Sequence, residues 1–170
     1  MIWMGIGLVA LFGFVAFFGA PYVPSKKRDV EQAFDELYQL NENDTLVDIG
    51  SGDGLVLRAA ARRGARAVGY ELNPVLVLIS RLLSRRQPNV TVYLANFWRS
   101  TLPATTTVVY TFGDSRDIVK MYKKVEATAV ELGRPVSFIS YGFEVPGLAP
   151  KKQVGAYHLY SVEPLQMSRP

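Results

Sequence analysis

The chain divides near Ser25 into two stretches with different hydrophobic patterns. From Ile2 to Ala20, apolar residues and glycines run without a polar interruption. Beyond Lys26, apolar positions instead recur at helical or strand spacing. The nineteen residues of the first run, at the α-helical rise, make about 28 Å of helix, close to the ~30 Å hydrocarbon core of a bilayer. Trp3 and Tyr22 stand near its ends, where aromatic rings favour the membrane interface, and Pro21 and Pro24 stop the helix. A cleaved signal peptide would carry a basic segment before a shorter apolar run, and no basic residue precedes Ile2. A buried core helix would carry polar residues on some face. The expectation is one transmembrane helix, with residues 1–24 as anchor and linker and residues 25–170 as one domain.

Within that domain the pattern alternates between element types. Helices are expected over Asp29–Leu40, Leu55–Arg63, Pro74–Arg86 and Ile118–Leu132, with Gly64 and Gly133 as C-terminal stops. Strands are expected over Thr45–Ile49, Arg66–Leu72, Val90–Leu94, Thr107–Phe112, Pro135–Tyr141 and Val154–Val162, the last at the sheet end and open to antiparallel pairing. This alternation argues an α/β fold, a Rossmann-like parallel sheet with helices on both faces.

Charge alters the picture in one respect. Met1–Ser25 holds no charged residue, and Lys26-Lys27-Arg28 follows at once. Positive residues beside a span stay on the cytoplasmic side, so a single-pass protein is expected, its domain in the cytoplasm or an organelle matrix. Other basic pairs, such as Arg62-Arg63 and Arg85-Arg86, read as solvated surface or as attraction to anionic headgroups or an acidic partner. Nothing marks a nucleic-acid partner. With no cysteine and one histidine, His158, thiolate and multi-histidine metal sites are excluded, and no metal is expected.

The chemistry concentrates in Val47-Asp48-Ile49-Gly50-Ser51-Gly52-Asp53-Gly54, between an expected strand and an expected helix. The G-x-G-x-G spacing differs from the G-x-G-x-x-G that cradles a pyrophosphate. Asp48 and Asp53 flank the glycines, a poor setting for phosphate and a better one for a cationic ligand such as S-adenosylmethionine. Glu71 follows Asp48 by 23 residues, at the end of the second strand. A carboxylate there can accept hydrogen bonds from both hydroxyls of a ribose; taken alone it reads equally well as a surface acid.

Together these pieces resemble the class I S-adenosylmethionine-dependent methyltransferases. More narrowly the chain resembles small membrane-anchored protein-lysine N-methyltransferases. Their eukaryotic members modify the ATP synthase c subunit or the adenine nucleotide translocase in mitochondria. The matching pieces are the apolar N-terminus, PYVPS at 21–25, VDIGSGDG at 47–54, AVGYELNP at 67–74 and NFWR at 96–99. The resemblance implies a membrane-protein lysine as acceptor. It places Asp48, Gly50 and Gly52 at the methionine end of the cofactor, Glu71 at the ribose, and Asn96 and Phe97 toward the adenine. Ser51, Gly54 and Leu72 complete the cofactor-binding candidates, and Pro24-Ser25 is expected to fold over the cofactor. Across the wider class I superfamily Asp is common at the Asn96 position, and Phe97-Trp98 reads equally as core packing.

Acceptors enter such a fold after the fourth strand, which makes Asp114 the catalytic candidate for orienting the amine; an N-cap for the next helix is the competing reading. Tyr141 and Glu144 are candidates for the acceptor rim, and His158 reads as a strand residue. The segment lacks the Asn/Asp-Pro-Pro-Tyr signature of many amide and adenine N-methyltransferases. Methylation of a lipid or small hydrophobic molecule, and a scaffold that binds the cofactor without turnover, remain the rival readings.

Overall fold

A computed structural model describes residues 25–113 and 115–164. The expected transmembrane run and Asp114 lie outside the described residues; among the described residues, no helix is long and apolar enough to cross a membrane.

Seven strands form one sheet: β1 (Thr45–Ile49), β2 (Arg66–Glu71), β3 (Val90–Leu94), β4 (Val108–Thr111), β5 (Val136–Tyr141), β6 (Lys152–Val154) and β7 (Tyr157–Val162). Their order is β3-β2-β1-β4-β5-β7-β6, with β1 to β5 parallel and β7 antiparallel to both β5 and β6. All of β1 and β4 is buried, as central strands covered on both faces must be. The last expected strand is in fact a hairpin, because Gly155 adopts a left-handed φ of 57° and turns the chain between β6 and β7. The sheet is therefore mixed.

Helices α1 (Lys27–Gln32), α2 (Leu55–Ala61) and α3 (Pro74–Leu83) bury Val30, Leu57 and Val77 in one core, while α4 (Ile118–Leu132) buries Ile118, Val125 and Ala129 in the core of the opposite face. The first helix departs from expectation: α1 loosens into a π turn over Ala33–Leu37, and Tyr38 is already extended. Arg63 joins this segment to the end of α2, pairing with Glu31 and Asp35 at 2.6 Å each and lying over the Phe34 ring. The α3 start follows from Asn73, whose Oδ1 accepts from the Val75 N–H at 2.9 Å, with Pro74 at the first helical position. That helix ends three residues earlier than expected, at Leu83, and Ser84–Arg86 form a turn.

Strand order reverses between β1 and β4. In open α/β sheets that reversal opens a crevice at the carboxyl ends of the strands, where ligands bind. Asp48, Gly50 to Gly54, Glu71, Phe112 and Tyr141 all sit at those ends.

Candidate functional site

The chain leaves β1 through a loop that is tied to the end of β2. Gly50 and Ser51 both donate their backbone N–H groups to the Tyr70 carbonyl, at 2.9 and 3.2 Å. Gly50, Gly52 and Gly54 have φ of 72°, 53° and 80°, a left-handed region in which other residues are strained. At Gly54 packing adds to the requirement, since a Cβ would come within 2.1 Å of Ser80 Oγ on α3. At Gly50 a Cβ would meet nothing within 4 Å among the described residues, so the outer side of the bend is open to a ligand.

Glu71 is the latch of this arrangement. Its Oε2 accepts the Gly52 N–H at 2.9 Å and its Oε1 accepts the Asn73 N–H at 2.8 Å. One carboxylate thus joins the glycine bend to the start of α3. Each oxygen keeps acceptor capacity, because an ionised carboxylate offers about four lone-pair sites.

Asp48 lies beneath, buried on β1. In register, Gly69 flanks it on β2 and Tyr110 on β4. Burial raises the Asp48 pKa well above the ordinary carboxylate range, and the negative charges of Glu71 and Asp53 raise it further. Tyr110 and Tyr157 are also pushed up, chiefly by burial, Tyr157 to about 12. Three carboxylates thus converge on one bend. Among the described residues Asp53 is the one of the three with a basic partner: its Oδ2 lies 3.6 Å from Arg58 Nη2, and its Oδ1 accepts from the Leu55 N–H.

Gly69 matters for a reason that no local pattern suggests. A Cβ there would stand 2.5 Å from Ser51 Oγ and 2.6 Å from Leu57 Cδ1. The loop and α2 can close over β2 only because this position has no side chain. Gly69→Ala is expected to destabilise the fold by about 1–3 kcal/mol through overpacking, measured by chemical denaturation.

The expected adenine-side residues occupy the link after β3. Asn96 caps a short 3₁₀ turn (Phe97–Arg99), its Oδ1 accepting the Trp98 N–H at 2.9 Å. Phe97 is buried against Tyr70 and Trp98, as core packing requires, and Lys124 Nζ lies 5.2 Å from its ring centroid. Lys124 also donates to the Ser100 carbonyl at 2.8 Å and so braces the turn on α4. Leu72 is exposed beside Glu71.

At the other side of the crevice, Tyr141 stands between Phe112 and Tyr157, with ring centroids 4.8 and 4.6 Å away. Of this aromatic wall Tyr141 stands out in the sequence and Phe112 ends the expected fourth strand, whereas Tyr157 lies inside the expected last strand and has no local signal. His158 is a buried strand residue, its Nε2 3.3 Å from Glu144 Oε1. Among the described residues no cluster of three or more His, Asp or Glu could hold a metal ion.

Known proteins share this sequence and fold. The sequence profile of the ANTKMT methyltransferase domain matches residues 48–152. The chain belongs to that family. The lysine N-methyltransferase of the ATP synthase c subunit from Rattus norvegicus is 36% identical over 138 residues, covering 79% of this chain and 61% of the relative. The chain thus spans about three fifths of that relative's length. The adenine nucleotide translocase lysine N-methyltransferase of Mus musculus is 38% identical over 86 residues, 48% of this chain and 37% of the relative. Among solved structures, an RNA methyltransferase from Salinibacter ruber in complex with S-adenosyl-L-homocysteine superposes with a TM-score of 0.70. It has 25% identity, and the match covers 87% of this chain and 98% of that one. The mixed seven-stranded sheet is that of the class I methyltransferases.

Proposed function

We propose that the chain is an S-adenosylmethionine-dependent protein-lysine N-methyltransferase acting on a lysine of a membrane protein. The donor half of this reading is carried by one observation: Glu71, fixed by two backbone N–H groups, closes a glycine bend over buried Asp48. That set fits the cofactor. The open side of Gly50 leaves room for it, and among the described residues Ser51 Oγ is buried without a hydrogen-bond partner. A ligand carrying ammonium and sulfonium charges would offset the repulsion among Asp48, Asp53 and Glu71. Glu71 holds the ribose hydroxyls, the Asp48–Gly54 bend holds the amino-acid end, and Leu72 and Asn96 border the adenine.

When bound, the cofactor supplies a methyl group on a positively charged sulfur, open to in-line attack. The chain's own task is to deliver a neutral amine at about 3–3.5 Å from that carbon. A lysine of pKa about 10.4 costs roughly 4–5 kcal/mol to deprotonate at pH 7. Placed against the Phe112–Tyr141–Tyr157 wall it leaves water, which lowers that cost. Asp114 is the residue assigned to orient the amine.

The acceptor half rests on the relatives named as lysine methyltransferases of the ATP synthase c subunit and the adenine nucleotide translocase. Residues 1–24 serve in this reading as a single-pass anchor and linker. The domain of residues 25–170 then faces the cytoplasm or an organelle matrix, within reach of lysines close to the bilayer. The test is to incubate membranes from cells lacking the gene with the full-length protein and radiolabelled S-adenosylmethionine. Label is expected on lysine in the protein fraction. Label in the lipid extract or in RNA, or no label at all, overturns the reading.

A further inference from the structure

Helix α3 is built inside out. Its inward face carries Val77 and Ser80, followed by Ser84 at the C-cap, all buried, and neither serine hydroxyl has a hydrogen-bond partner among the described residues. Its outward face carries Val75, Leu78, Ile79, Leu82 and Leu83, with Leu78 68% exposed and Leu82 58%. An ordinary surface helix shows the reverse arrangement. The inward serine has a local cause, since Ser80 Oγ lies where a Cβ on Gly54 would fall, so two small residues meet there. Among the described residues no such packing reason accounts for the leucines outside.

The patch extends past the helix. Leu94, on edge strand β3, is 54% exposed, and Arg81 ties the helix to that strand by donating twice to the Val92 carbonyl, at 3.1 and 2.7 Å. Of the eleven large hydrophobic residues exposed among the described ones, eight lie between positions 72 and 94, so the apolar surface is concentrated rather than scattered. Its charge is equally one-sided. From Leu72 to Gly113 the sequence has four arginines (Arg81, Arg85, Arg86 and Arg99) and no acidic residue.

We infer that the outward face of α3, with its arginines, is a docking surface for an anionic lipid bilayer. The helix lies along the interface with its leucines among the headgroup–acyl boundary and its arginines at the phosphates. Charge decides among occupants. A second copy would bring two all-positive sectors together, which like charge disfavours. The uncharged Ile2–Ala20 run of the chain itself would cover leucines and leave the arginines unanswered. A nucleic acid would answer the arginines and leave the leucines exposed. Only an anionic bilayer meets both. This surface lies on a different part of the chain from the proposed anchor, and docking here would fix which way the crevice faces along the membrane.

The absence of cysteine makes the test clean, because one introduced thiol is a unique label site. Full-length protein carrying Leu82→Cys with a bimane label is reconstituted into vesicles of phosphatidylcholine, with or without phosphatidylglycerol, containing brominated acyl chains. Ala127→Cys, on exposed α4 surface of the opposite face, is the control. With phosphatidylglycerol present, the label at 82 is expected to shift blue and be quenched, and the label at 127 to stay unchanged. Arg85→Glu with Arg86→Glu should reduce that quenching at least about fivefold, the weight of roughly one arginine near an anionic surface. Equal quenching at both sites, or none at 82, overturns the inference. Shielding of position 82 in detergent also overturns it, whether it grows with protein concentration (a second copy) or does not (the N-terminal run). So does shielding only on adding RNA. Vesicle co-flotation read alongside keeps the anchor separate: a protein that floats with its 82 label unquenched loses this surface and keeps its tether.

Discussion

Glu71→Ala is expected to lower affinity for S-adenosylmethionine by at least about 100-fold while moving the melting temperature of the ligand-free protein little. The first half follows from hydrogen bonding. Bonds to a charged acceptor are worth about 1.5–3 kcal/mol each, and two to the ribose hydroxyls amount to two decades or more. Loss of the latch adds to this, because Gly52 and Asn73 both give up the acceptor of their N–H groups. The second half follows from opposing terms. Two half-buried donors lose their partner, which costs stability, while the largest like charge acting on Asp48 disappears, which restores some.

Glu71→Gln sharpens the test. Glutamine keeps the shape but presents one amide NH₂ where a carboxylate oxygen stood, so the Gly52 or the Asn73 N–H must face another donor. The isosteric variant should therefore also bind at least tenfold more weakly. Isothermal titration calorimetry on the three proteins reads this directly. If Glu71→Gln binds as wild type does, the acid is not the ribose anchor.

How much of this is legible in the sequence depends on the range of the interactions involved. Helix α4 is legible residue for residue, because its apolar stripe and the Gly133 stop are local signals. The glycine bend and Glu71 are legible for the same reason: a buried strand, a turn rich in glycine and an acid at a fixed spacing follow one another along the chain. Pairing information is out of reach. Nothing near Gly69 announces that Ser51 and Leu57 will press on it. The Gly155 turn shows only as one residue within an apparently continuous strand. For α3, nearly every position from Pro74 to Leu83 is apolar, so periodicity announces a helix and does not choose its inward face. The inward face packs Ser80 onto Gly54, twenty residues before the helix start, a contact that no local pattern shows. The aromatic wall likewise arises from contacts between strands, Tyr141 on β5 meeting Tyr157 on β7.

Asp48→Asn is expected to make the ligand-free protein more stable and to cost it about two decades of affinity for the same cofactor. In the wild type, burial and the charges of Glu71 and Asp53 hold the folded-state pKa of Asp48 above its unfolded value. A carboxyl shifted in that sense contributes stability when protonated, fully present below the unfolded pKa and lost as pH rises through the raised folded one. At pH above that raised pKa the ionised group is therefore a burden on the empty fold, and asparagine removes it. The ligand reverses the sign. Opposite charges about 5 Å apart in a medium of effective dielectric ~20 gain about 3 kcal/mol, so a cationic ligand held beside Asp48 would favour its ionised form. Affinity should then fall as pH is lowered through the raised Asp48 pKa, with proton release on binding in that window. Calorimetry in two buffers of different ionisation enthalpy measures that release, and the asparagine variant should show none of it from this group. A variant that melts lower than wild type and keeps the same pH dependence of binding would mean that Asp48 serves only to hold β1 to its neighbours.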